Sequence, residues 1–354
     1  MIISADGARH QTIRDLLQEA RDHELFSAAS WAVTDADGVI ETGHLGTYAW
    51  DGEEISEAVT YDLASVTKPI VGVVAMRLVE EGILALDDTV DRFLPDFAAS
   101  TKAELTVRQL LTHTSGMPGR VPMYRNNADR EAMIIALREL PLRNAPGAAV
   151  EYSSQGLMIV GLILEAAGGG SLSALVDEFV CDPLGLTSTG FLPARDRLST
   201  NAATEDCPWR GRVVRGEVHD ENAVVLGGVA GHAGLFSTVG DLTRLAQALL
   251  QAEHGEGLLA PRTMAVMTRQ QFGASPTVRP LGWWGYDLVG STSGDLLGEG
   301  AYGHTGFTGT SLWIDPDGPR AYVLLTNRVH PSRERLGFAS VRRRFHNLAV
   351  SRYS

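Results

Sequence analysis

Ala64-Ser65-Val66-Thr67-Lys68-Pro69-Ile70-Val71-Gly72-Val73-Val74-Ala75-Met76-Arg77-Leu78 is the stretch that decides how the rest of the chain reads. Its apolar positions predict a helix from about Pro69 to Glu81, with Gly82 placed to end it. A serine at the start of such a helix has its own backbone N–H near the positive end of the dipole, where it can stabilise an oxyanion. Lys68 lies three positions on, on the same face, so its amine can reach the Ser65 hydroxyl. Taken alone, the four residues also read as an ordinary helix start with Ser65 as N-cap, and the accompanying motifs have to decide. Composition adds one argument. Of the 30 basic residues only Lys68 and Lys102 are lysine, the other 28 being arginine. Arginine stays protonated at any working pH, whereas an amine can give up its proton. Lys102, in the polar run Ser100-Thr101-Lys102-Ala103-Glu104, reads as a solvated loop residue.

Working outward, residues 9–22 predict a helix with Ile13, Leu16, Leu17 and Ala20 on one face. Ala28–Thr34 and Val39–Leu45 read as strands joined at Asp35-Ala36-Asp37-Gly38. Further helices are expected at Val107–His113, capped by Thr106, at Leu157–Ala167, ended by three glycines, and at Asp241–Gln251. Strands return at Ser311–Ile314 and Ala321–Thr326, and an amphipathic helix at Leu336–Val350 closes the chain. The expected fold class is α/β (α+β), with one antiparallel sheet built from both chain ends and flanked by helices. The sheet region covers 1–65 and 225–354, a mostly helical region covers 66–224, and the active site lies in the cleft between them.

The bulk properties exclude several classes. A net charge of −13 with no basic block argues against nucleic acid as a partner. Cys181 and Cys207 make neither a disulfide framework nor a metal-ligand cluster, and both are expected to be buried free thiols. No long uncharged apolar run suggests a membrane span, and the polar N-terminal stretch does not read as a secretory leader, so a cytoplasmic location is expected.

Two more motifs carry chemistry. Glu151-Tyr152-Ser153-Ser154-Gln155-Gly156 places a tyrosine just before a helix, where it can shuttle a proton beside a lysine or simply pack its ring. Gly303-His304-Thr305-Gly306-Phe307-Thr308-Gly309-Thr310 leads into a strand; its glycines allow close approach of a ligand, and His304 offers a donor able to titrate near neutrality. Ser-x-x-Lys, then Tyr-Ser-Ser about 85 residues on, then His-Thr-Gly, in that order, resembles the serine beta-lactamase and penicillin-binding-protein superfamily, its class C-like esterase and amidase branch in particular. The stretches 82–88, 105–116, 182–186 and 234–238 share the resemblance. A narrower one, carried by 202–205, 209–211, 216–223 and 227–234, is to a subgroup that includes exo-acting N-acetylmuramyl-L-alanine amidases.

The resemblance implies a beta-lactamase/transpeptidase-like fold with Ser65 as nucleophile and Lys68 and Tyr152 as the proton-transfer pair, either of which could be the base. It implies an oxyanion hole from the backbone N–H groups of Ser65 and Phe307, and substrate contacts from Ser154, His304, Thr305, Gly306 and His219. Glu205, Asp220 and His232 read equally as catalytic or as polar groups holding a loop. No metal or cofactor is called for. The superfamily's third motif often begins with lysine, where this chain has His304, and its second usually ends in asparagine, where this chain has Ser154. Weak or no beta-lactamase activity is the expectation. The partners are then a small-molecule acyl donor, an ester or linear amide, with water, an amine or an alcohol as acceptor. Recycled muropeptides, a transacylase step in natural-product biosynthesis and, from another class, a non-catalytic ligand sensor are the alternatives.

Overall fold

Strands from the two ends of the chain pair with one another, because each end supplies runs too apolar to stand at a surface. The computed structural model describes residues 12–353 apart from 194, 272–278 and 288–289, with backbone alone at 195–197. In chain order the strands are β1 (Ala28–Thr34), β2 (Val39–Gly46), β3 (Tyr61–Asp62), β4 (Gly190–Phe191), β5 (Asp206–Cys207), β6 (Arg212–Val213), β7 (Leu235–Ser237), β8 (Trp284–Gly285), β9 (Tyr302–Thr305), β10 (Ser311–Asp315) and β11 (Arg320–Thr326). The main sheet is antiparallel in the order β2-β1-β11-β10-β9-β8, so the first hairpin joins directly onto the last. Its turn is closed by Asp35, whose Oδ1 accepts the N–H groups of Asp37 and Gly38 at 2.9 Å each. A small sheet, β3-β7-β4, lies beside it.

Alternation along the strands divides the core in two. Trp31 and Val33 of β1, Trp313 of β10, and Tyr322 and Leu324 of β11 face the first helix, Ile13–Asp22, and the last, Phe338–Tyr353. Ala28, Ala32, Leu312, Ile314, Val323 and Leu325 face the helices Thr67–Glu80 and Val239–Ala252 and the larger core around them. Burial on both faces explains why β1 reads as a continuous apolar run. No single helix among the described residues is long and apolar enough to cross a membrane.

Some expectations shift. Residues 9–11 of the first predicted helix lie outside the described residues. The helix capped by Thr106 ends at Leu111 rather than at His113, because His113 turns into the left-handed region at φ 59°. Leu336 stands exposed ahead of the final helix. Lys102 is a correction: it is buried, not solvated, with Nζ donating to the Arg138 carbonyl at 2.9 Å.

One buried side chain ties the joined ends together. Asn327, just past β11, accepts from the N–H groups of Ser27 and Ala28 at 3.1 and 2.9 Å, and donates to Ser27 Oγ and the Ala203 carbonyl at 2.8 and 2.9 Å. Asn327→Ala leaves those groups buried without partners and is expected to cost about 3 kcal/mol or more. A urea midpoint unchanged from the parent protein would refute this role.

Candidate active site

The sequence before the helix Thr67–Glu80 makes a strained turn that aims Ser65. Ala64 sits at φ 48°, a conformation an alanine adopts only when its surroundings impose it. Asp62, buried at the end of β3, imposes it: Oδ1 accepts the Ala64 N–H at 2.7 Å and Oδ2 the His219 N–H at 2.6 Å. Thr308 and Thr310 donate to the carbonyls of Asp62 and Leu63. Ser65 does not act as an N-cap. It lies in the 3₁₀ turn Ala64–Val66, and its hydroxyl takes a hydrogen bond from Lys68 Nζ at 2.9 Å.

Lys68 is completely buried, and its other hydrogen bond goes to the His232 carbonyl, also at 2.9 Å. That carbonyl is delivered by a close backbone approach. A Cβ on Gly231 would stand 2.2 Å from the Leu157 carbonyl and 2.9 Å from the Gly161 N, inside the helix Ser154–Gly168, so only glycine fits. The His232 ring is held from its other side by Asp220, at 2.9 Å. Burial pushes the Asp220 carboxyl up, but the neighbouring His232 and, more weakly, Lys68 hold it well below the usual range.

Tyr152 reaches the same point from the other side of the cleft, its ring centroid 5.0 Å from Lys68 Nζ. Ser153 caps the helix behind it, accepting from the Gly156 N–H and donating to the Pro118 carbonyl. The tyrosine ring is packed between two histidines, His113 at 4.7 Å and His304 at 5.9 Å. Burial first, and the Lys68 charge second, push both imidazoles well below the usual histidine value, so both are neutral. His304 Nδ1 lies 2.8 Å from the Thr305 carbonyl, which can only accept, so Nδ1 carries the proton and the partnerless Nε2 is an acceptor. The sequence reading of His304 is thereby corrected. It does not titrate near neutrality, and it lines neither cavity beside Ser65, because alternation on β9 sends Thr305 to the cleft and His304 behind Trp284 and Tyr152.

Two cavities meet at Ser65 and Phe307. The larger, about 780 Å³, is lined by Tyr152, Trp284, Thr305 and Gly306 among others. The smaller, about 280 Å³, has Ser154, Gln155, His219 and Asn222 in its wall. A Cβ on Gly306 would meet Thr310 Oγ1 at 2.0 Å and the Leu63 carbonyl at 2.4 Å, so glycine there lets the strand end lie against the turn that carries Ser65. Arg342 Nη2 donates to the Gly306 carbonyl at 3.0 Å and Arg328 Nε to the Phe307 carbonyl at 2.7 Å. The first of these bonds holds the peptide plane that carries the Phe307 N–H, and the second holds the plane that follows it.

Comparison with known proteins gives the family and the fold. The sequence profile of the beta-lactamase family matches residues 13–343. A protein of Escherichia coli provisionally described as a D-alanyl-D-alanine carboxypeptidase is 35% identical over 304 residues, covering 76% of this chain and 69% of its own. The chain belongs to the beta-lactamase family. That makes it an enzyme of the serine hydrolase and acyltransferase type. Among solved structures, a hydrolase with promiscuous acyltransferase activity superposes with TM-score 0.80 at 22% identity, covering 96% of this chain and 97% of the other. Simvastatin synthase from Aspergillus terreus gives 0.76 at 22%, covering 97% and 98%. These two likenesses concern the fold.

Within this beta-lactamase-family chain, the residues of open role divide. His232 serves Lys68 through its carbonyl, whereas Glu205 and His219 belong to an ion-pair cluster behind Phe307. His219 stacks on the Phe307 ring at 5.8 Å and meets Glu205 Oε2 at 3.0 Å. Arg333 donates to both Glu205 oxygens at 2.7 Å and to Glu221 at 2.5 Å. Glu205, Cys207 and Glu221 bring their donor atoms within 4.8 Å of one another, but the guanidinium already bridges the two carboxylates. Sequence reasoning missed Arg333, which no local pattern separates from the other arginines.

Burial pushes the Glu205 carboxyl up, but hydrogen bonds from His219 and Arg333 bring it down from 4.5 to about 2. A depressed carboxyl stabilises the fold above its ordinary range, and the contribution is lost as pH falls through the folded value. Glu205→Gln is expected to cost about 3 kcal/mol at pH 7, and the gap to the parent should close between about pH 5 and pH 2. Melting temperatures measured across that interval test it; a constant gap would contradict it.

Proposed function

We propose that Ser65 is the nucleophile of an acyl-enzyme mechanism acting on a small ester or linear amide, at the cleft between the sheet region (1–65 and 225–354) and the helical region (66–224). The observation that carries the reading is the buried Lys68 amine, 2.9 Å from the Ser65 hydroxyl and, among the described residues, hydrogen-bonded otherwise only to the His232 carbonyl. Among the described residues no carboxylate hydrogen-bonds to that amine, and Tyr152 stands beside it to share the proton.

Ser65 Oγ attacks the substrate carbonyl carbon as its proton passes to the Lys68–Tyr152 pair. The carbonyl oxygen takes the negative charge between the N–H groups of Ser65 and Phe307, donors worth about 3–4 kcal/mol each in related acyl transfer. Collapse breaks the bond to the leaving oxygen or nitrogen, which receives the proton from the same pair. Water, an amine or an alcohol then attacks the acyl-enzyme and frees Ser65. Thr305 and Gly306 on one side, and Ser154 and His219 on the other, line the substrate's path. A neutral His304 offers no charge to a beta-lactam carboxylate, and Ser154 offers a hydroxyl instead of an amide. Both favour weak or absent beta-lactamase activity.

A fluorophosphonate probe should add one label, at Ser65, and none in Ser65→Ala; labelling that persists there removes the nucleophile assignment. Lys68→Ala should lower the rate of p-nitrophenyl acetate hydrolysis at least about 1,000-fold, with partial recovery on adding methylamine. Near-parental activity without the added amine would exclude Lys68 from the proton transfer. Acyl-enzyme lifetimes measured by mass spectrometry with and without amines separate hydrolysis from transfer.

A further inference from the structure

The larger cavity is cationic in an acidic protein. Five guanidiniums, from Arg120, Arg279, Arg328, Arg335 and Arg342, line it, and no carboxylate does among the described residues, although the chain's net charge is −13. Two of the five are neutralised nearby: Arg335 by Glu24 at 3.1 Å and Arg279 by Asp287 at 3.8 Å. Arg342 differs from these. It is 8% exposed, its Nη2 donates to the Gly306 carbonyl, and its Nε is buried without an acceptor. Arg328 is half-buried, and among the described residues its hydrogen bonds go to the carbonyls of Phe307 and Arg333, with burial and the charges of Arg120 and Arg333 outweighing those of Glu205 and Glu334.

The two guanidiniums are thus anchored on consecutive carbonyls, Gly306 and Phe307, at the edge of the space a Ser65 substrate enters. Burial first, and the Arg328 charge second, bring Arg342 down to about 9. Two neighbouring desolvated cations repel one another and leave donors unused, an arrangement that an incoming anion relieves. One carboxylate would neutralise one of them. A doubly charged oxyanion neutralises both.

We propose that the substrate portion occupying this cavity carries at least two negative charges, as a phosphate-type group or as paired carboxylates, held between Arg342 and Arg328. Naming the occupant as substrate rests on the acyl-enzyme reading of Ser65; anion binding itself does not. Calorimetric titration of the whole chain with inorganic pyrophosphate, glutarate and acetate at equal ionic strength measures binding with no reaction at Ser65.

Pyrophosphate or glutarate should bind at least about 30-fold tighter than acetate. Arg342→Gln and Arg328→Gln should each weaken the preferred anion by about tenfold or more, and that anion should slow fluorophosphonate labelling of Ser65. Preference for pyrophosphate assigns a phosphate-type group, and preference for glutarate assigns paired carboxylates. Should Arg342→Gln fail to fold, the more exposed Arg328→Gln decides. Equal weak binding of all three anions overturns the proposal, as does parental affinity in the folded variants or an unchanged labelling rate with the anion bound. A Ser65 that takes no label in the absence of anion sinks the acyl-enzyme reading, while the calorimetry still decides the anion site.

Discussion

The structure around the active site is organised by the burial of one ammonium nitrogen. Lys68 Nζ is offered a serine hydroxyl, a backbone carbonyl and the face of a tyrosine ring, and among the described residues it hydrogen-bonds to no carboxylate. A carboxylate would have made a stronger pair and fixed the charge. The surroundings then have to avoid adding a second charge. His113 and His304, both close to Tyr152, are buried and neutral. The His232 carbonyl reaches Lys68 because Gly161 and Gly231 let two backbones touch.

Positioning Ser65 imposes a second requirement, met by stability drawn from elsewhere in the fold. Ala64 in the left-handed region is unfavourable by about 1 kcal/mol. Asp62 compensates by holding the Ala64 and His219 N–H groups in a site dry enough to push its own carboxyl up. Because His219 also meets Glu205, the nucleophile turn is linked through one side chain to the Glu205–Arg333–Glu221 cluster. Glu205 and His219 are therefore best understood as positioning residues for the wall of the smaller cavity.

Much of this was legible in the sequence, for reasons that can be named. Turn chemistry at Asp35–Gly38 and the Thr106 cap are local, and local signals survive without a structure. Ser65, Lys68 and Tyr152 stood out because proton transfer restricts which residue types can serve, and the structure brings the three together. The composition argument was weaker than it looked. Both lysines are buried, Lys68 on two acceptors and Lys102 on the carbonyl of Arg138. A compact ammonium suits a buried site with few acceptors better than a five-donor guanidinium does. Retention of lysine therefore reports burial as much as titration, and the polar run around Lys102 could not reveal a carbonyl 36 residues away. His304 misled because its strand phase, which hides the ring behind Tyr152, depends on pairing with β10.

Arg342 carried a signal that could have been used. Phe338, Val341, Phe345 and Ala349 mark the buried stripe of the last helix, and Arg342 sits on it, i+4 from Phe338 and i−3 from Phe345. A charged residue on an apolar stripe needs either a partner or a ligand, and among the described residues Arg342 has the Gly306 carbonyl and the face of the Phe338 ring but no carboxylate in salt-bridge contact. Arginine is the suitable cation for that position, since it keeps its charge when desolvated. It can therefore add positive potential near the cleft without exchanging a proton itself. The cavity wall concentrates a field opposite in sign to the chain's overall charge. Under the proposed mechanism that division, an amine beside Ser65 and guanidiniums along the cavity wall, separates proton transfer from substrate selection.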